Sequence, residues 1–164
     1  MAMISSPESG NVPRDSSSVM NRVALAFLIA SVATFTAFHF LPLAKQDDGA
    51  QGWSFWVGIA DVVRMPSVLR DPEAGVALAS LATFVVLVLC SPFLTGFYRR
   101  SRVLRWLATV MSGLATAGFW ITFGRGTFPE DMSAGVICLF VTPVLTLVGL
   151  LLIRGEKREL PPAR

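Results

Sequence analysis

Charged residues are scarce in this chain of 164 residues, where Asp, Glu, Lys and Arg together make up 15%. A soluble domain usually carries about a quarter charged residues. The deficit is concentrated, because long stretches contain almost no charge while 53% of all residues are hydrophobic. This distribution argues against an ordinary soluble fold and indicates a membrane protein.

Four apolar stretches are long enough to cross a bilayer, at residues 23–43, 75–98, 103–124 and 135–153. Each is close to the roughly 20 residues that span about 30 Å of hydrocarbon. Backbone groups in lipid must bond within their own segment, so each stretch is predicted to be a helix. We therefore predict an all-α integral membrane protein with four transmembrane helices in residues 21–154, flanked by a flexible tail (1–20) and a short tail (155–164).

The first stretch also has features of a secretory signal, since Ser31-Val32-Ala33 suits a cleavage site. Its apolar run continues beyond Ala33 to Leu43, which is too long for a signal core. We expect an uncleaved membrane anchor.

Histidine and cysteine are nearly missing, with one and two copies, and this excludes several kinds of site. A bis-histidine haem site needs a second histidine. A C-x-x-C quinone oxidoreductase needs two cysteines separated by two residues, and Cys90 and Cys138 do not have this spacing. Cys90 and Cys138 differ in predicted depth by roughly 15 Å, too far for a disulfide. Ser112 and His39 differ by roughly 10 Å, which excludes a Ser–His protease dyad. We predict that the chain is not an enzyme.

Charge is also missing from the interiors of the predicted spans, apart from Arg105 near the start of the third. Intramembrane charges are typical of transporters and proton relays. Secondary transport is therefore disfavoured, and a small oligomeric channel or transporter with a neutral path remains an alternative.

Basic residues are divided unevenly between the two sides of the predicted topology. Ten of the 14 Lys and Arg residues fall in the two tails and the link between spans two and three, leaving four for the other loops. Because an excess of Lys and Arg marks the cytoplasmic side, both termini are predicted to be cytoplasmic, in a bacterial inner membrane. The net charge of +3 follows from this topology, so we expect no nucleic-acid partner.

The first outer loop contains an amphipathic pattern at residues 54–65, with apolar side chains recurring at helical spacing. We predict a short interfacial helix lying in the outer headgroup layer. Its aromatic and aliphatic side chains either form a docking surface for a partner or pack on the chain's own bundle; the residues concerned are Trp53, Phe55, Trp56 and Ile59.

The third span presents small residues at helical spacing, namely Ala108, Ser112 and Thr116. Such rows allow helix backbones to approach closely in lipid. They are predicted either to pack within one bundle or to form an interface with helices of another chain.

His39 lies near the outer end of the first span, between Phe38 and Phe40. A neutral imidazole can bind haem iron or a chlorophyll-type magnesium, or donate to a quinone. The alternative is an interfacial residue that bonds water or a carbonyl without any cofactor. The candidate ligands are a lipid, a quinone, a carotenoid, a (bacterio)chlorophyll or a haem, with further contacts from a partner.

These observations favour a non-catalytic accessory or assembly subunit of a larger membrane complex, with respiratory and photosynthetic complexes as examples. Its expected partners are other membrane subunits and the lipid bilayer. The alternatives are a lipid-, quinone- or pigment-binding protein that uses His39, or the oligomeric channel.

Overall fold

The computed structural model describes residues 16–43, 51–65, 70–124 and 133–155, and in these ranges the chain is helical without any strand. The described residues form five helices, α1 (Ser16–Phe38), α2 (Gly52–Arg64), α3 (Pro72–Arg100), α4 (Arg102–Gly124) and α5 (Ala134–Leu152).

Three of these helices, α1, α3 and α5, are long and apolar enough to cross a membrane. Helix α4 has 23 residues, which is also sufficient length, but it begins with two arginines and contains several Ser, Thr and Gly residues that lower its hydropathy. The helical membrane fold agrees with the sequence analysis, and the fourth crossing stays a prediction.

Helices α1 and α5 are antiparallel neighbours along their whole length. Near the chain termini, the Arg154 backbone N–H donates to the Asn21 Oδ1 at 2.8 Å. At the opposite end, the Gly135 N–H donates to the Pro42 carbonyl at 3.2 Å. Close approach is possible because Gly149 has no side chain where the Leu28 side chain and the Ala24 backbone pass. The start of α1 and the end of α5 therefore lie at the same end of the bundle.

Helices α3 and α4 form an antiparallel hairpin with Ser101 alone between them. The hairpin turn lies at the same end as the start of α1, since an Arg105 guanidinium N–H donates to the Ile153 carbonyl at 3.3 Å. This end, which we call the arginine end, carries six described arginines (Arg22, Arg99, Arg100, Arg102, Arg105 and Arg154). Which side of the membrane the arginine end faces stays a prediction.

Helix α1 differs from the expected 23–43 at both of its ends. It begins at Ser16, so part of the predicted flexible tail is helical, while residues 1–15 lie outside the described ranges. It stops at Phe38, and a turn at His39 and Phe40 leads to Pro42. Pro42 disfavours the helical conformation at Leu41, the residue before it. Ahead of the proline the helix tightens into a turn, in which the N–H groups of residues 39–41 donate to carbonyls three residues earlier.

Helix α2 occupies the place predicted for the interfacial helix, beginning two residues earlier and ending one residue earlier than expected. Helices α4 and α5 also agree with the predicted spans to within one residue. Helix α3 is longer than expected at both ends. Its earlier start has a local cause, because Pro72 suits the first helical position and the Asp71 carboxylate accepts from the Glu73 N–H at 3.0 Å.

The interior contains two buried clusters at different depths. The larger one is aromatic and joins α1, α3, α4 and α5, with Phe35, Phe38, Phe84, Phe119 and Phe140 at its centre. The smaller one lies toward the arginine end and contains Ala24, Leu28, Tyr98, Ala108, Leu150 and Ile153.

Candidate functional site

His39 lies one residue beyond the end of α1 and forms hydrogen bonds through both of its ring nitrogens. Its Nδ1 is 2.8 Å from the Phe35 carbonyl oxygen. Its Nε2 is 2.8 Å from the Trp56 indole Nε1, which donates. The single histidine therefore connects the end of α1 to helix α2, and we call this contact the His39–Trp56 joint.

The two partners determine which nitrogen of His39 carries the proton. A carbonyl only accepts and an indole only donates, so Nδ1 must bear the hydrogen and Nε2 must be the acceptor. The imidazole is thus neutral, with its remaining lone pair already engaged. A metal or magnesium ion would have to displace the Trp56 indole, so this arrangement favours the cofactor-free interpretation of His39.

Aromatic rings surround the joint. The imidazole and the Trp56 ring are nearly coplanar, with centroids 6.0 Å apart and an angle of 16° between the planes, and they meet edge to edge as the hydrogen bond between them requires. Phe35 and Phe38 meet the imidazole edge-on at 5.0 and 5.1 Å. These contacts continue the larger buried cluster up to the end of α1 and restrict the orientation of His39.

Backbone contacts hold α2 against the segment that follows α1. The Gly52 N–H donates to the Leu41 carbonyl at 3.1 Å, and Pro42 pairs with Gln51 in an isolated bridge. A Cβ atom at Gly52 would collide with the Phe38 carbonyl. Glycine is therefore required at the first position of α2, and the sequence analysis did not single it out.

The predicted partner residues of α2 divide into two groups. Phe55, Trp56 and Ile59 pack against the chain's own larger cluster. Trp53 points away from it and is 65% exposed. Packing on the bundle thus accounts for three of the four side chains, and only Trp53 remains available to lipid or to a partner.

The small residues of α4 are placed mainly inside the chain. Ala108 and Ser112 are buried, at 7% and 3% exposure. Thr116 is half-buried and donates to the Ser112 carbonyl of its own helix at 2.6 Å. Burial favours packing within one bundle for Ala108 and Ser112, while a partner role for Thr116 stays a prediction.

A buried polar pair between α1 and α5 escaped the sequence analysis. The Ser31 and Thr146 hydroxyl oxygens lie 2.6 Å apart. Since the Thr146 hydroxyl donates its hydrogen to the Thr142 carbonyl at 3.1 Å, Ser31 is the donor to Thr146. The sequence signal for this pair is a hydroxyl residue at the same predicted membrane depth in each of two neighbouring spans.

The α3–α4 hairpin has an open groove on its exposed face. The groove has a volume of about 330 Å³ and is lined mostly by small residues, namely Val76, Ala79, Ser80, Thr83, Met111, Leu114, Ala115 and Gly118. Val76 and Leu114 at its rim are both 62% exposed. We call it the hairpin groove; the sequence analysis noted the small residues of α4 but not those of α3.

Both cysteines of the chain lie within the described ranges. Cys90 and Cys138 are free thiols, in agreement with the expectation that they do not pair. Among the described residues, no group of three His, Cys, Asp or Glu side chains is placed to hold a metal ion.

No protein-family model, curated protein or solved structure matches this chain.

Proposed function

We propose that this chain is a non-catalytic accessory or assembly subunit of a larger membrane complex, crossing a bacterial inner membrane four times with both termini in the cytoplasm. In this arrangement the arginine end faces the cytoplasm and α2 lies at the outer surface. The chain contributes helix surfaces to the complex, and respiratory or photosynthetic assemblies are examples of such complexes.

The observation that carries this proposal is the hairpin groove. Tight contacts between helices in lipid depend on small residues that let backbones approach, because lipid chains are as apolar as the side chains they would replace. Gly149 of α5 already allows such an approach to α1, and Gly135 of α5 allows it to the segment that follows α1. The hairpin groove has the same character but is open, so a transmembrane helix of another subunit fits it.

Trp53 supports the same interpretation at the outer surface. It is 65% exposed and begins the interfacial helix, next to the three side chains that pack inward. Tryptophan is common at the membrane interface and at protein contacts, because its ring is apolar and its N–H is polar.

The decisive experiment is gentle detergent extraction from native membranes, native-gel separation and mass spectrometry of the resulting band. Under the proposal, the chain migrates with other membrane subunits in fixed stoichiometry. If it migrates alone or only with copies of itself, the accessory role is refuted.

A pair of variants then tests whether the hairpin groove is the contact. Ala79→Leu fills the groove, whereas Ala82→Leu adds the same side chain at an exposed position of α3 outside it. We expect Ala79→Leu to remove the partners from the band and Ala82→Leu to retain them. Equal retention by both variants would exclude the hairpin groove as the contact.

A further inference from the structure

The turn between α3 and α4 concentrates positive charge at the surface. Arg99, Arg100 and Arg102 are all exposed, with only Ser101 between the two helices. The Ser101 Oγ accepts from the Leu104 N–H at 3.2 Å, which fixes the start of α4. The two guanidinium groups of Arg100 and Arg102 therefore extend from a rigid turn.

Arg105 differs from Arg100 and Arg102 because its guanidinium forms a hydrogen bond within the chain. It is half-buried and donates to the Ile153 carbonyl at the end of α5. Its guanidinium also lies close to Gly155. Arg105 therefore positions the turn against α5, while Arg100 and Arg102 remain directed outward.

An apolar surface groove begins at the same turn. It has a volume of about 360 Å³ and is lined by Arg102, Val103, Trp106 and Leu107. The three apolar side chains are 78%, 68% and 56% exposed. Arg102 is thus a wall of the groove and a member of the basic turn, so the charged and apolar surfaces are continuous.

The described carboxylates do not neutralise this turn. Asp61, Asp71 and Glu73 belong to α2 and to the start of α3, at the opposite end of the bundle. The described parts of α1, α4 and α5 contain no Asp or Glu. Among the described residues, therefore, no carboxylate lies at this end of the bundle, and the charge of Arg100 and Arg102 is complementary to an anionic ligand.

We propose that the turn and its groove bind one anionic phospholipid, which we assign to the phosphatidylglycerol class. Its phosphate lies between Arg100 and Arg102, and one acyl chain lies along Val103, Trp106 and Leu107. Clustered arginines at a membrane surface attract anionic headgroups, and an interfacial tryptophan suits the boundary between headgroup and chain. The position of the turn at the bilayer surface follows from the span ends and is independent of any protein partner.

The test measures thermal unfolding of the full-length chain in nonionic detergent while phosphatidylglycerol or phosphatidylcholine with identical acyl chains is added. A ligand that binds only the folded state raises the unfolding temperature as its concentration increases. We expect a saturable rise with phosphatidylglycerol that exceeds the rise with phosphatidylcholine. Equal effects of the two lipids would overturn the proposal.

Variants test whether phosphatidylglycerol binds at this turn or is attracted by the overall positive charge of the surface. The double variant Arg100→Gln/Arg102→Gln should weaken the apparent phosphatidylglycerol affinity by about 30-fold, since each arginine near a membrane surface contributes about fivefold. Arg22→Gln lies at the same end on α1, outside the groove, and should change the affinity little. If Arg22→Gln lowers the affinity as much as the double variant, the attraction is a diffuse surface effect and the site is refuted.

Two further measurements test whether binding needs the acyl chain as well as the phosphate of the lipid. Trp106→Ala keeps both arginines and removes a groove wall, so it should weaken phosphatidylglycerol binding severalfold. Inorganic phosphate added alone should not reproduce the rise in unfolding temperature. If phosphate alone reproduces it, or if Trp106→Ala binds normally, the acyl-chain part of the proposal fails. Circular dichroism of each variant verifies that it is folded.

Discussion

The variant Trp56→Phe tests the hydrogen bond that forms the His39–Trp56 joint. Trp56→Phe retains an aromatic ring against Phe35 and the imidazole but removes the indole N–H. The Nε2 atom of His39 then loses its donor. Because its Nδ1–H still donates to the Phe35 carbonyl, the imidazole cannot exchange the roles of its nitrogens without breaking that bond as well.

The expected cost follows from this geometry. A hydrogen bond contributes about 0.5–1.5 kcal/mol net, and an acceptor left buried without a donor costs about 1–3 kcal/mol. His39 is half-buried at the end of a helix, where water reaches it in part, so we expect Trp56→Phe to lower the free energy of unfolding by about 1–2 kcal/mol. For a chain of this size that corresponds to about 2–8 °C in melting temperature.

The assay is thermal unfolding in nonionic detergent followed by far-UV circular dichroism, which reports all helices and does not depend on the altered tryptophan. Trp53→Phe is the matched control, since it is the same change in the same helix at a residue that is 65% exposed. Substitutions at such positions usually alter stability by less than about 0.5 kcal/mol. The control should therefore melt like the unmodified chain.

A double-mutant cycle removes the contribution of ring size. His39→Phe and the double variant His39→Phe/Trp56→Phe complete the cycle, and the coupling energy should be about 1 kcal/mol in favour of the native pair. Additive effects, or equal losses from Trp53→Phe and Trp56→Phe, would refute the joint and return His39 to the cofactor hypothesis.

Two further predictions concern helix contacts. Gly52→Ala should destabilise the chain by about 1–3 kcal/mol, because the new methyl group meets the Phe38 backbone, whereas Gly58→Ala in the same helix has open space and should stabilise it by up to about 1 kcal/mol. Equal melting temperatures for these two variants would contradict the close approach of α2 to α1. Ser31→Ala should cost about 0.6–1.7 kcal/mol by removing the donor to Thr146, with Thr34→Ala as its control, because the Thr34 hydroxyl donates within α1 to the Ala30 carbonyl. No difference between Ser31→Ala and Thr34→Ala would show that the buried hydroxyl pair contributes nothing.

The helix positions could largely be predicted from the sequence because they depend on local properties. Apolar runs bounded by polar residues located α4 and α5 to within one residue, and the helical spacing of Phe55, Trp56 and Ile59 located α2. The end of α1 was missed because hydropathy continues to Leu43, while the backbone conformation changes ahead of Pro42. Hydropathy measures burial in lipid and carries no information about that steric restriction.

The joint itself depends on contacts that no local pattern specifies. His39 and Trp56 are 17 residues apart, and they meet only after the chain reverses and Gly52 approaches the Phe38 carbonyl. The sequence placed both residues near the outer surface, but the choice between ligand and structural hydrogen bond required the partner of each ring nitrogen. The same holds for Ser31 and Thr146, which are 115 residues apart.

The hydrogen bonds between α1 and α5 bear on which part of the bundle can adjust during assembly. Helices α1 and α5 are joined by hydrogen bonds near both ends and in the middle, at Arg154, Pro42 and Ser31. The α3–α4 hairpin contacts the end of α5 through Arg105 and contributes apolar side chains to the larger cluster. Apolar packing is weakly directional, whereas hydrogen bonds fix register. We therefore expect α1 and α5 to keep their register when a partner binds, and the hairpin, where the hairpin groove and the basic turn lie, to be the part that contacts an external helix or lipid.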